Sequence, residues 1–594
     1  MKQIYWLASL FLCLSFCGCN KDELVTDGSQ GAPSIIFDDE SGGIYTVKTG
    51  RELTVSPVFK NVEDAIITWT LNGKIVCREQ SYTAVWQDLG EHYVKVKAVN
   101  SAGKAEEEIR VDVVELTPPA IELKVPAEGL KIVVNTEYTF EPVFAFDDLD
   151  GFKVEWLIDD IPMGTGRSLV WHPTELGKHS VVIRASNADG NTEKELEVEV
   201  VETVPYKVNF PTPSYFQTST VRYTFAGRPV FLRPYLQYFE NPTFSWKVNG
   251  EEVECSSQMY KFVPAQSGRY TVTVIAKDGF SGTEVAEDVV VDCVTGTEMD
   301  RLRPASTSSS YRQAKVYEYV PAPGQFIGES RDFPNVITDI EEANAWAESR
   351  LERQAYVSLG SLGGYVVVGF DHSIPVKGLE YDFAVIGNAF STSNEPGVVW
   401  VMQDINGNGL PDDEWYELRG SETGKDETRQ MLGITYFRPA LAHRNVPWVD
   451  TDGNTGSVEY NTYHIQDSYY PTWIKNDSYT LYGTKLASHN KLDPATGYWS
   501  NEPYLWGYAD NIGTDCLGGD SWSGSGQRNG FKISNAMYAD LTTVPLKYID
   551  FIKVQSGVCA ISGALGEIST EVFGFQDLSI LPSKSNIKKT RKQK

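Results

Sequence analysis

The sequence predicts an all-β protein: three tandem β-sandwiches, then a larger β-sandwich or jelly-roll domain that carries one short helix. Three observations predict it. A tryptophan landmark recurs at Trp69, Trp156 and Trp246, 87 and 90 residues apart. Each is followed after 21 or 22 residues by a glycine, Gly90, Gly177 or Gly268, that opens an alternating apolar run. Beyond Thr297 the repeat stops, and apolar runs bounded by glycine take over.

The repeat defines units of about 90 residues, the size of a small β-sandwich. In Tyr93-Val94-Lys95-Val96-Lys97-Ala98 and Tyr270-Thr271-Val272-Thr273-Val274, apolar and polar residues alternate. Successive strand side chains point to opposite faces, so alternation marks one buried face. Asn72-Gly73 and Asn249-Gly250 are hairpin turns, because both positions tolerate positive φ. The tryptophan is expected to plug the core between sheets. The boundaries drawn are 32–115, 117–203 and 205–296, with Leu116-Thr117-Pro118-Pro119 and Thr203-Val204-Pro205 as short stiff linkers. The pattern W-x-x-(N)G…G-x-Y/H-x-V…N-x-x-G resembles polycystic kidney disease (PKD) domains, most specifically in the first two units. These units show no catalytic constellation. They read as spacers, with ligand binding by the units as the alternative.

The chain opens with MKQIYWLASLFLCLSFCGCNKDE. Lys2 precedes an apolar run from Ile4 to Phe16, and Gly18 stands before Cys19, the order of a secretory signal. It resembles a bacterial lipoprotein signal, which implies a signal over 1–18, a lipidated Cys19 and a tether over 19–31. Cys17 is the alternative acceptor, and an ordinary cleaved signal the plainer reading. Asn20-Lys21-Asp22-Glu23 resembles the signal that sends Bacteroidetes lipoproteins to the outer face of the outer membrane. No later stretch reaches the ~18 apolar residues of a membrane span, so lipid alone is expected to hold the protein there.

The formal charge is -28. That argues against nucleic-acid partners, whose phosphates call for basic patches. Residues 582–594 are the basic exception and read as a disordered tail. Of eight cysteines, five lie beyond the signal and Cys19: Cys77, Cys255, Cys293, Cys516 and Cys559. Cys255 can pair with Cys293, and Cys516 with Cys559, but spacing does not decide it. CxxC and HExxH are absent and the seven histidines are scattered, against a zinc or redox site.

The C-terminal domain, 297–581, is expected to carry the activity. Ile340 to Leu351 reads as its amphipathic helix, capped by Thr338 or Asp339. Residues 404–414 read DINGNGLPDDE. Oxygen side chains at alternate positions before a glycine bend suit calcium, which takes six to eight oxygens. The expected ligands are Asp404, Asn406, Asn408 and Asp412 by side chain and Leu410 by carbonyl, with Asp413 or Glu414 closing a structural Ca2+ site. Trp415 stands where an EF-hand places Glu, so the loop is expected to join strands. The plain alternative is an acidic hairpin without an ion.

Seven of the fourteen tryptophans lie between Trp400 and Trp522. In 498–522, Trp499, Trp506, Tyr508 and Trp522 interleave with Asp510 and Asn511 on glycine-rich loops. Flat rings beside amides and carboxylates suit a large ligand with apolar faces and polar edges, a sugar or a macrocycle. The alternative is that these rings pack under the loops. Glu567 with Glu571, and Asp510 with Asp515, are carboxylate pairs of the kind glycoside hydrolysis needs, but no nucleophilic triad can be assembled, and the reading is a non-enzyme.

Several runs, SLGSLGGYVVVGFDHSI, YDFAVIGNAF, EPGVVWVMQDINGNGLPDDEWYEL, LWGYADN and IDFIKVQSG…GALGEISTE, resemble the C-terminal domain of PKD-containing cell-surface lipoproteins of Bacteroidetes. Among these are the BtuH-like lipoproteins that bind vitamin B12. The resemblance implies a cobalamin binder that passes cargo to a TonB-dependent outer-membrane transporter. His464 or His489 is a candidate to ligate cobalt. The alternative is a glycan-binding surface lipoprotein of polysaccharide uptake, with adhesion through the repeats a third reading.

Overall fold

A computed structural model describes the chain except residues 1–30, 38–40, 127–128, 213, 218, 330–336, 379, 440, 465, 519–526 and 582–594. The signal segment, Cys19, Trp522 and the basic tail therefore lie outside the described residues.

The described fold is almost wholly β, with the helix Ile340–Glu352 its one α-helix. The chain divides into two compact units. One holds the first sandwich with Phe146–Phe152 and Ser186–Asn191; the other holds the rest from Ala120.

The first sandwich has a five-stranded sheet ordered Ile44–Lys48, Gly103–Val114, Gly90–Asn100, Ile66–Leu71, Lys74–Cys77. Its first pair is parallel and the others antiparallel. The second and third sandwiches repeat this order, with Gly177–Asn187 and Gly268–Lys277 as central strands. Trp69, Trp156 and Trp246 are fully buried in the three cores. Each indole N–H donates to a carbonyl ten or eleven residues on: Glu79 O at 2.9 Å, Gly166 O at 2.8 Å and Ser257 O at 2.8 Å. A buried Trp thus satisfies its donor while tying the next hairpin to the sheet. Asn72-Gly73 and Asn249-Gly250 take positive φ at both positions, as their turns require.

In the C-terminal domain the main sheet runs Lys315–Val320, Tyr365–Pro375, Tyr548–Ser556, Gly397–Met402, Trp415–Leu418, Ala536–Met537, and Tyr508–Ala509 also pairs with Gly397–Met402. The domain also has a four-stranded sheet (Thr455–Val458, Val446–Asp450, Arg429–Phe437, Ser478–Lys485), a three-stranded one (Gln527–Phe531, Phe383–Gly387, Gly574–Asp577) and two two-stranded ones (Val357–Ser358 with Glu571–Val572, Asn490–Leu492 with Trp499–Asn501). Asp339 caps the helix, accepting from Glu342 N at 2.9 Å. The helix covers the edge strand Lys315–Val320: Asn344 takes Tyr319 N at 2.7 Å and gives to Tyr317 O at 2.6 Å. An exposed edge would otherwise offer unpaired backbone groups.

All five described cysteines are free. The two pairings that the sequence left open are not formed; Cys516 Sγ donates instead to Gln527 Oε1 at 3.1 Å.

Candidate functional site

Every residue of the strand Tyr548–Ser556 is buried, because both faces of the main sheet are covered. One row of directly paired residues crosses six strands: Glu318, Val367, Lys553, Trp400, Glu417 and Met537. Pairing alone therefore sets Lys553 beside Trp400, and Trp400 beside Glu417. Over this face lies a cleft of about 400 Å³, walled opposite by Phe231 and Tyr235 of the third sandwich. Those two rings pack on Tyr538 (5.3 Å) and Tyr482 (4.5 Å) of the C-terminal domain, and Tyr235 Oη donates to Met431 O.

Lys553 is 8 % exposed. Its ammonium lies 4.9 Å from the ring centroids of both Trp400 and Trp415 and 5.6 Å from that of Tyr365. Such contacts stabilise a cation electrostatically, yet among the described residues no acceptor takes a hydrogen bond from Nζ. Burial pulls its pKa down to about 8, against the pull of Glu318 and Glu417. Burial pushes Glu417 up to about 7, although Thr484 Oγ1 donates to it at 2.6 Å. Glu318 is also raised by burial while accepting from Ser214 and from Tyr365 Oη. Two more groups lack a hydrogen-bond partner here: Trp400 Nε1 and Glu414 Oε1, the latter 3.6 Å from Arg222 Nε. The cleft thus offers aromatic faces and the Lys553 ammonium, with Trp400 Nε1 buried behind them without a partner. Such a constellation suits a ligand with apolar faces and polar edges.

The aromatic segment is placed elsewhere. Tyr508 is 2 % exposed, and its Oη accepts from Glu422 N at 3.1 Å. Asn511 is buried and closes its own loop, accepting from Tyr504 N and donating to Tyr504 O, both at 2.8 Å. Asp510 is buried, with Oδ1 accepting from Asn388 N and Ala389 N. Trp499 is half-buried against Gly563, where a Cβ would come 2.3 Å from its Nε1. Trp506 is half-buried. None of these five lines the cleft. His489 stacks on Tyr504 at 3.9 Å, and His464 Nδ1 meets Glu329 at 2.6 Å.

The loop after Met402 joins two strands, as expected for a chain without an EF-hand's closing Glu. Asp404 accepts from the backbone of Gly407, Asn408 and Gly409. The amides of Asn406 and Asn408 donate to the two oxygens of Asp412 at 2.9 and 2.8 Å. Gly407 and Gly409 take φ of 76°, making the bend. Asp413, 2 % exposed, accepts from Ile405 N through Oδ2, while its Oδ1 is buried without a partner. The oxygens of Asp404 and Asp412 thus accept from the loop's own N–H groups, and Asp413 Oδ1 is the loop's carboxylate oxygen left without a partner. Leu410 turns its side chain outward, and Glu414 faces the cleft instead of the loop.

Sequence reading missed Lys553, although one lysine inside IDFIKVQS is a visible anomaly. What it faces depends on three strands distant in sequence.

Tandem sandwiches ahead of a β domain with an aromatic cleft define a binding-type protein. The model of the PKD-like domain matches residues 32–100 and 118–187. The third sandwich shares their strand order and buried tryptophan. No curated protein matches the chain. Similar solved structures include the I-band fragment I67–I69 of titin (15 % identity, 44 % of this chain and 99 % of that one, TM-score 0.19). Others are fibronectin(III)-like modules of Clostridium thermocellum CbhA (14 %, 29 % and 94 %, TM-score 0.17) and extracellular domains 3–5 of Drosophila OTK (12 %, 44 % and 97 %, TM-score 0.16). TM-scores this low carry no functional information.

Proposed function

We propose that this is a surface-exposed, lipid-anchored protein that binds cobalamin without catalysis and passes it to a TonB-dependent outer-membrane transporter. The observation that supports it is the unpaired Lys553 ammonium among Trp400, Trp415 and Tyr365. A corrin has flat apolar faces and an edge of amides. Its amide-bearing edge lies against the rings, and an amide oxygen accepts from Lys553 Nζ. About 400 Å³ is at the small end of ligand cavities, so cobalamin seats one edge there and leaves the rest outside. The same small volume favours a second reading, a glycan whose rings enter singly. In both, the first two sandwiches serve as spacers and calcium in the 404–414 loop is structural.

The test is titration calorimetry of the lipid-free chain beginning at Asn20 against cyanocobalamin and an oligosaccharide panel. One-to-one binding of cyanocobalamin, weakened by Lys553→Met, supports the corrinoid reading. Heat from a glycan alone replaces it with the second, and no heat from either removes both.

A further inference from the structure

A second place in the C-terminal domain gathers carboxylates with no basic partner among the described residues. Glu395, Asp510 and Glu571 bring carboxylate oxygens within 4.8 Å of one another. Strand pairing forces the meeting. Gly397 pairs with Ala509, which runs the segment before Gly397 alongside the turn after Ala509, and there Glu395 N donates to Asp510 O at 3.0 Å. Glu571 N then donates to Asp510 Oδ2 at 2.9 Å. None of the three lines the aromatic cleft.

Asp510 is 1 % exposed and Glu571 5 %, while Glu395 is half-buried with its carboxyl hydrogen-bonded to that of Glu571. Glu571 Oε1 has no hydrogen-bond partner, and neither has Oε2 of neighbouring Glu567, 4 % exposed. Among the described residues no Lys, Arg or His pairs with any of the four. Burial, followed by repulsion from Glu395, raises both Asp510 and Glu571.

Buried like charges are relieved by protons or by a cation. The donors are all oxygen, the choice of hard divalent ions over zinc or copper. Calcium–oxygen bonds of about 2.3–2.6 Å place opposite ligands roughly 4.6–5.2 Å apart, wider than magnesium allows. Oxygens within 4.8 Å of one another fall inside that calcium span, a largely buried all-carboxylate set suits calcium over magnesium, which keeps several waters, and the unpartnered Glu571 oxygen is a ligand in waiting. We propose that Glu395, Asp510 and Glu571 form a calcium site separate from the 404–414 loop. It joins the segment before Gly397, the turn after Ala509 and the strand Glu571–Val572. The ion thereby fixes the aromatic loop through Asp510.

The test uses the lipid-free chain beginning at Asn20, stripped with chelator and dialysed against fixed free calcium, with bound metal counted by mass spectrometry. An Asp412→Asn background silences the loop. In it, Glu571→Gln is expected to lose one calcium per chain, and Glu395→Gln to weaken binding about tenfold or more. Without calcium, Glu571→Gln should melt no lower than its parent, because it removes repulsion; with calcium the parent should gain more. Equal calcium content and affinity in parent and both variants would overturn the site and leave protons as the remedy. If Glu571→Gln does not fold, Glu395→Gln, at a half-exposed position, decides by the same count.

Discussion

Lys553 and Trp400 are direct partners on adjacent strands, with the ammonium 4.9 Å from the indole centroid. A cation–π contact of this kind contributes roughly 0.5–2 kcal/mol. That does not offset the removal of an ammonium from water, so the lysine is held short of a partner. A ligand that supplies an acceptor recovers the difference.

Trp415 forms the other face of that cage. Trp415→Ala is expected to weaken ligand by about 1–2 kcal/mol, roughly 5- to 30-fold, in calorimetry. Trp506→Ala, outside the cleft, should leave affinity unchanged. The reverse pattern would move the site to the 498–522 segment.

The cleft also writes itself into the pH dependence of stability. Glu417 is raised to about 7 from 4.5. The folded chain holds its proton longer, so this contribution is full below pH 4.5 and is lost as pH rises to about 7. Lys553 is lowered to about 8 from 10.5. There the unfolded chain holds the extra proton, so stability rises between about pH 8 and 10.5. Each limb is worth up to about 3 kcal/mol. Urea unfolding across pH should show a minimum near 7–8. Glu417→Gln should flatten the acid limb and Lys553→Met the alkaline one; an unchanged profile in both would contradict the assignment.

Calcium at the 404–414 loop has a thermal signature. Saturating calcium at about a hundred times Kd should raise Tm by about 5–10 °C. Asp412→Asn breaks the oxygens that both amides hold and should cut that rise. An identical shift with and without Asp412 would mean that the loop closes without an ion.

In the first sandwich, Trp69→Ala should cost about 3–5 kcal/mol through the cavity and the lost bond to Glu79 O. Circular dichroism should show an early transition, while ligand affinity stays unchanged if this sandwich is a spacer. Lost affinity would give it a part in binding.

Trp69, Trp156 and Trp246 were legible as core because their roles are local: the alternation, the turn and the glycine lie within some thirty residues. The same logic located the oxygen-rich turn and the helix. It could not separate a ligand face from a packed one. Aromatic density in 498–522 pointed to a ligand face, but Tyr508 and Asn511 spend their polar groups on Glu422 and Tyr504 inside the fold. Density signals burial as readily as exposure, since aromatic rings serve both.

By itself the sequence determined the three sandwiches, the all-β class, the capped helix and the oxygen-rich turn, because each follows from periodicity and backbone preference over short distances. Only the tertiary structure decided that Lys553 meets Trp400 and Glu417, that the third sandwich roofs them, and that Glu395, Asp510 and Glu571 converge. Those meetings join segments as far apart in sequence as Phe231 and Tyr538, and strand register and domain packing, which no single segment encodes, put them face to face.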